Sequence, residues 1–388
     1  MSNGARAAGR LRIATAVTVG VLAFGAATAS ATFKPERTFP VGGFPVAVAT
    51  GDLNGDGNAD LVTANSNSRD ATVLLGNGRG GFRFKRTLKL GGQFATAVGI
   101  GRFDGNRFPD IAVGRTDIET GSVQIWRVSK PKGEGLRFKR GRVLPLGSAS
   151  PIGPNPTDIA VADIDRDGKR DVVVADRNFD VVSLFRGQGQ GKFEAEQEHS
   201  VGNAPQELAL GRINDGKRLD VVTANLPDDS VSVLIGRKGT PAFRPAQTFP
   251  ASDGPYSVAV GNVTGDSRND IVVNSDIDAE VTVLANTGAG FTPLPPFALP
   301  DEASQVRVGR LAGDRRPDIA MVVRGSPPRM RLLVRRPNGD LTPGPKARRM
   351  SIDAANSDLV LARVDGDRHL DAVLAGGSLS VAAVLLHR

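Results

Sequence analysis

One order of apolar and polar positions keeps returning along this chain. A short apolar stretch leads into a loop of Gly, Asp, Asn and Arg, and the loop closes on an aspartate that opens a second, almost wholly apolar stretch. Asp60-Leu61-Val62-Thr63, Asp110-Ile111-Ala112-Val113, Asp171-Val172-Val173-Val174 and Asp220-Val221-Val222-Thr223 are the first four instances, and Asp270, Asp318 and Asp371 open the other three. Runs this short, apolar on both faces and bounded by turn residues, predict strands buried within a sheet. The next stretch alternates, as in Val231-Ser232-Val233-Leu234 and Val281-Thr282-Val283-Leu284. Alternation predicts a strand with one packed face and one polar face. A Phe- or Pro-containing stretch completes the unit. No segment of comparable length carries a helical period, so the chain is expected to be all-β.

Four short strands repeated about every fifty residues are the pattern of propeller blades. Seven loop-closing aspartates therefore predict a seven-bladed β-propeller of four-stranded blades over residues 32–388. The segment 130–156, which lengthens one repeat, reads as an inserted surface loop. The seventh unit ends at Leu385-Leu386-His387-Arg388 without a fourth strand, and residues 33–42, rich in Phe and Pro, look like that strand. Pairing the two would close the ring and hide two sheet edges.

Composition narrows what such a ring can do. Hydrophobic residues are 40% of the chain, with one Trp and one Tyr, so Val, Leu, Ile and Ala must fill the core. Cysteine is absent, which removes disulfides, thiol nucleophiles and thiolate metal sites. The net charge is +8, but the basic residues read as scattered, without the stripe or run of a nucleic-acid arm. Residues 1–31 read as a secretory signal peptide: Arg6, Arg10 and Arg12, an apolar stretch over 13–27, then Ala29-Ser30-Ala31. The apolar run is short for a hydrocarbon core of about 30 Å, so cleavage before Thr32 and export are expected, with the product free or attached to the cell envelope.

Two loops carry an ordered set of oxygen donors. The first places Asp52, Asn54, Asp56, Asn58 and Asp60 at positions 1, 3, 5, 7 and 9; the third places Asp163, Asp165, Asp167, Lys169 and Asp171 there. Side-chain oxygens at 1, 3 and 5 of a tight loop converge on one hard cation, position 7 offers its backbone carbonyl, and Gly57 or Gly168 at position 6 allows the sharp turn. In these residues the chain resembles the FG-GAP/VCBS repeats of integrin-α-like propellers and many secreted bacterial proteins. The resemblance implies Ca2+ at both loops, in a structural and not a catalytic role.

The other loops depart from this pattern. Position 1 is Arg102, Arg212, Arg310 or Arg363 in four of them and Asn262 in the fifth, and none has Gly at position 6. Blade 5 keeps Asp266 and Asp270, and blade 7 keeps Asp365, Asp367 and Asp371, so weak binding is conceivable there and none is expected in blades 2, 4 and 6. Two fates are open for the arginines: a guanidinium replacing the ion against the closing Asp, or a side chain left in solvent.

Catalytic signatures are sparse. His199, His369 and His387 read as lying in different units, none beside an obvious Ser or carboxylate partner, which gives a His-dependent hydrolase or a zinc centre little support. The glycines of 76–81 and 187–191 lie between strands and read as turns, not phosphate cradles. Trp126 reads as packing. The expected function is a non-enzymatic binding or adhesion scaffold, monomeric, for a protein or glycan ligand. An extracellular polysaccharide lyase or hydrolase, or a propeller lectin, is the alternative, though a lectin would want more aromatic platforms than Trp126 and Tyr256.

Overall fold

The computed structural model describes residues 33–130, 135–147, 153–312, 314–336, 339–344, 347–353 and 357–387. The leader expected over 1–31 lies outside them. The described residues form seven antiparallel blade sheets and one two-stranded hairpin, Gly187–Gly189 with Lys192–Phe193, with two short 3-10 turns and no α-helix. Blade 1 consists of Pro45–Gly51, Asp60–Asn65, Asp70–Gly76 and Phe82–Lys89, in that order from axis to rim. Blades 2 to 6 repeat the order, the rim strand of blades 5 and 6 being broken in two. Each first strand neighbours the first strand of the next blade, and Asp358–Ala362 of blade 7 neighbours Pro45–Gly51 of blade 1, so the ring is closed.

Closure uses both ends of the chain. Blade 7 has Asp358–Ala362, Asp371–Gly376 and Val381–Leu385, and its rim strand is Arg37–Pro40. Arg37 pairs with Val384 and Pro40 with Val381.

Packing lies between blades. Every residue of the second strands Asp60–Asn65, Asp171–Asp176 and Asp220–Asn225 is buried, as their apolar runs require. One cluster joins Val173, Val182 and Leu184 of blade 3 to Leu208, Val221 and Leu234 of blade 4. Each such aliphatic side chain contributes roughly 1.5–3 kcal/mol on burial. Near the axis the blades crowd: a Cβ on Gly211 would stand 2.3 Å from Val260 Cγ1, and one on Gly261 would stand 2.5 Å from Val308 Cγ1. Glycine at these strand ends is what lets the neighbouring valine seat.

Two expectations need correction. The segment 130–156 is not merely a loop, because Arg137–Pro145 is the rim strand of blade 2, paired with Gly121–Ser129. The basic residues are not scattered either. Arg83, Lys85, Arg86 and Lys89 on blade 1 and Arg137, Lys139, Arg140 and Arg142 on blade 2 occupy two rim strands that contain no acid. These strands meet where Arg140 Nη2 donates to the Lys89 carbonyl at 2.5 Å. They are about fifty residues apart in the chain, so no local run announced the face. Cations on an exposed rim strand also discourage edge-to-edge pairing.

Candidate functional site

The loop-closing aspartate does the same work in all seven blades. One carboxylate oxygen accepts the backbone N–H of loop position 2, from Leu53, Phe103, Ile164, Ile213, Val263, Leu311 and Val364, at 2.7–3.1 Å. The other accepts an N–H at or just beyond the end of the third strand, from Gly76, Val128, Gly187, Gly236, Asn286, Arg335 and His387, at 2.8–3.0 Å. The side chain thus ties the first hairpin of each blade to its third strand. Burial pushes Asp60, Asp110, Asp171 and Asp371 up to about 6, against the lowering effect of those hydrogen bonds.

In the two complete loops the remaining donors gather beside this pin. Asp163, Asp165 and Asp171 bring carboxylate oxygens within 4.8 Å of one another. Asp163 also accepts the N–H groups of Asp167 and Gly168 at 3.0 Å. Gly168 has φ of 87°, and Gly57 of the first loop 85°; L side chains rarely take this conformation. In the first loop Asp52 Oδ1 accepts Gly55 N at 2.7 Å, and Asn54 Oδ1 accepts Asp56 N at 2.8 Å. The neighbouring acids Asp52 and Asp56, and Asp165 and Asp167, add to burial in raising Asp60 and Asp171. Oxygen donors carrying uncompensated negative charge fit a hard divalent cation. Two cations already press on the third loop: Lys169 Nζ is 2.9 Å from Asp167 and Arg186 Nε is 3.5 Å from Asp165.

A second constellation lies at the axis, towards the opposite face. First strands have no sheet partner on their axial side, so their N–H groups there need other acceptors. Asp158 accepts Leu208 N at 3.1 Å, Glu207 accepts Val258 N at 3.3 Å, Ser257 accepts Val306 N at 3.1 Å and Asp358 accepts Val48 N at 2.9 Å. Each reaches from one blade to the next. Arg307 sits among them, 2.6 Å from Glu207 Oε1 and 2.8 Å from Asp358 Oδ1. Two carboxylates thus share one guanidinium, whose charge also acts on Asp158. Burial, reinforced by Asp158 and Asp358, pushes Glu207 up to about 8 despite Arg307, and burial with Asp358 pushes Asp158 up to about 6. Beside this cluster opens a polar cavity of about 230 Å³ to which every blade contributes, through Ser66, Thr96, Arg177, Gln206, Tyr256, Gln305 and Asp358. It lies where the first strands begin, whereas the aspartate loops follow their ends.

Residues 52–113 and 213–273 match the FG-GAP-like repeat model. The chain carries FG-GAP-like repeats. No curated protein matches the sequence. Among solved structures it is similar to BBS1N in complex with ARL6DN, at 15% identity and a TM-score of 0.61, covering 90% of this chain and 95% of that one. The periplasmic gluconolactonase PpgL of Pseudomonas aeruginosa aligns at 14% identity and a TM-score of 0.57, covering 80% and 86%. Sqt1 of Saccharomyces cerevisiae aligns at 10% and 0.55, covering 93% and 99%. Identities this low speak for the fold alone.

The remaining loops overturn the idea that arginine replaces the ion. Among the described residues no ion pair joins Arg102, Arg212, Arg310 or Arg363 to its closing aspartate, whose oxygens are already taken by backbone N–H groups. A basic or imidazole side chain recurs at position 7 and meets the acid at position 5: Arg268 with Asp266 at 3.5 Å, Arg316 with Asp314 at 3.4 Å, and the His369 ring with Asp367 at 3.3 Å. Lys169 and Asp167 do the same in the complete third loop. The histidines, too, are less separate than their places in the chain suggest: His369 and His387 both belong to blade 7, with ring centroids 4.9 Å apart. His199 lies on the rim strand of blade 3 against Phe243, at 5.0 Å. Trp126 is buried in the core, under the guanidinium of Arg140.

Proposed function

We propose that this chain is an exported, calcium-stabilised binding scaffold, monomeric and non-enzymatic, that takes a glycan or protein ligand at the mouth of its central channel. The observation that carries the reading is the cavity built by all seven blades, with Tyr256 and Arg177 among its walls. A site assembled from every blade exists only when the ring is closed, and its size suits a single sugar ring or the end of a chain. Polar groups that converge on a concave site fix a ligand's orientation.

Calcium would be held in blade 3 by Asp163, Asp165, Asp167 and Asp171 with the Lys169 carbonyl. In blade 1 it would be held by Asp52, Asn54, Asp56 and Asp60 with the Asn58 carbonyl. Its contribution would be to neutralise acids that burial leaves uncompensated. The test is a glycan and peptide screen followed by calorimetry in calcium. Tyr256→Ala and Arg177→Ala should abolish binding with the melting temperature kept, and a ligand bound equally well by both variants would rule out this mouth.

A second reading, catalysis, draws on Asp158, Glu207 and Asp358, a group of acids near a cavity. It is the weaker one, because both oxygens of Glu207 and of Asp358 are engaged by Arg307 or backbone N–H groups. Turnover of a polysaccharide or lactone that vanishes in Glu207→Gln would restore it.

A further inference from the structure

Blade 7 departs from its sisters at two places that come together in space. Its loop has His369 at position 7, between Asp367 and the closing Asp371. Just past its third strand, where blades 1, 3 and 4 have Gly76, Gly187 and Gly236 to meet the closing aspartate, it has His387. The His387 backbone makes the same hydrogen bond to Asp371, at 2.8 Å, so the imidazole is an addition to the pin and not part of it.

That imidazole is placed at a cost. His387 is 2% exposed, and neither Nδ1 nor Nε2 has a hydrogen-bond partner. Buried polar atoms are nearly always paired, and an unpaired one loses its hydration without return. The ring packs edge-on to Phe33 at 5.5 Å and to His369 at 4.9 Å. His369 in turn has Nδ1 3.3 Å from Asp367 Oδ2. Lys34 Nζ reaches Asp365 at 3.4 Å, which leaves Asp367 as the carboxylate beside the two imidazoles.

We propose that His369, His387 and Asp367 form a site for a divalent transition-metal ion, of which zinc is the first choice. Imidazole nitrogen combined with a carboxylate oxygen suits Zn2+, Ni2+ or Cu2+, whereas Ca2+ takes oxygen alone. Arg363 at position 1 also removes the acid on which a calcium loop opens. His387 is suited to ligation because both its ring nitrogens lie buried without a partner, beside the imidazole of His369. Among the described residues only Asp163, Asp165 and Asp171 have three donors already drawn within 4.8 Å. Binding in blade 7 therefore includes turning the imidazoles towards Asp367, and that movement gives a His387 nitrogen the partner it lacks.

The test is a zinc titration of the full chain in calcium-containing buffer, read by calorimetry, with cobalt substitution as a spectroscopic check. One equivalent of zinc is expected. His369→Ala, at a half-buried side chain, should weaken it by about 100-fold or more, since even outer-shell changes at metal sites cost 10–100-fold. Cobalt should give strong visible bands that the same variant abolishes. His387→Gln, with folding checked by its melt, tests the buried ligand. Should no zinc bind to a chain that still binds calcium, or should uptake survive His369→Ala unchanged, the proposal is overturned. Neither result bears on the channel-mouth ligand.

Discussion

Blades 3 and 4 share their architecture and differ in what their first loop holds. In both, the closing aspartate accepts one N–H from loop position 2 and one from a glycine after the third strand, Gly187 or Gly236. Blade 3 surrounds that pin with Asp163, Asp165 and Asp167; blade 4 has Arg212, Asn214 and Gly216 in their places. The strands nevertheless follow the same register, with Ala162 opposite Asp171 and Gly211 opposite Asp220. The closing aspartate therefore belongs to the fold, and the other acids are a separable layer that an ion would draw on.

The comparison breaks most visibly at the pin. Asp220→Ala leaves two buried donors unpaired and should cost about 2–5 kcal/mol, measured by denaturant unfolding, and Asp171→Ala in chelator should cost the same. A mild loss in blade 4 alone would mean that the pin matters only where an ion sits. The ion layer comes next. Calcium at a hundred times its dissociation constant adds about 2.7 kcal/mol per site, so chelator should lower the melting temperature and Asp163→Asn should remove one of two calorimetric sites. The converse sharpens the contrast: Arg212→Asp, Gly216→Asp and Lys217→Gly together should give blade 4 a site of its own, counted as a third equivalent.

The channel offers an intermediate effect. Burial raises Glu207 from 4.5 to about 8, so the folded state keeps a proton that the unfolded chain has lost. Stability should then fall as pH rises between about 4.5 and about 8, by up to about 1.4 kcal/mol per unit, and level off above. Glu207→Gln should flatten that slope in pH-dependent melts, while Asp163→Asn should leave it alone. The smallest change is expected from Lys169→Met, which frees Asp167 without touching the pin: an unchanged melt in chelator and tighter calcium in titration.

Strand, blade and ring were all legible before any coordinates. Asp60 through Asp371 recur as letters, their apolar runs end abruptly, and the mismatch between the two chain ends asks for Arg37–Pro40. The role of the closing aspartate was not legible, because its second acceptor bond goes to a residue 16 to 18 positions onward. Nor could the channel be read. Asp158, Glu207, Ser257 and Asp358 are single polar letters in apolar strands, and only the ring brings them round Arg307. The pairing of His369 with His387, like the basic rim of blades 1 and 2, depends on neighbours that a linear pattern does not rank.

The joining of Arg37–Pro40 to Val381–Leu385 also has a consequence in time. A chain made from its N-terminus produces this strand before the rest of the ring and must hold it unpaired until Val381–Leu385 has been synthesised. Contacts so distant in sequence are slow to form and offer no reward until they do. Until that registration, blades 1 and 7 face water with surfaces meant for each other, and an open horseshoe of this kind is exposed to aggregation for as long as it lasts.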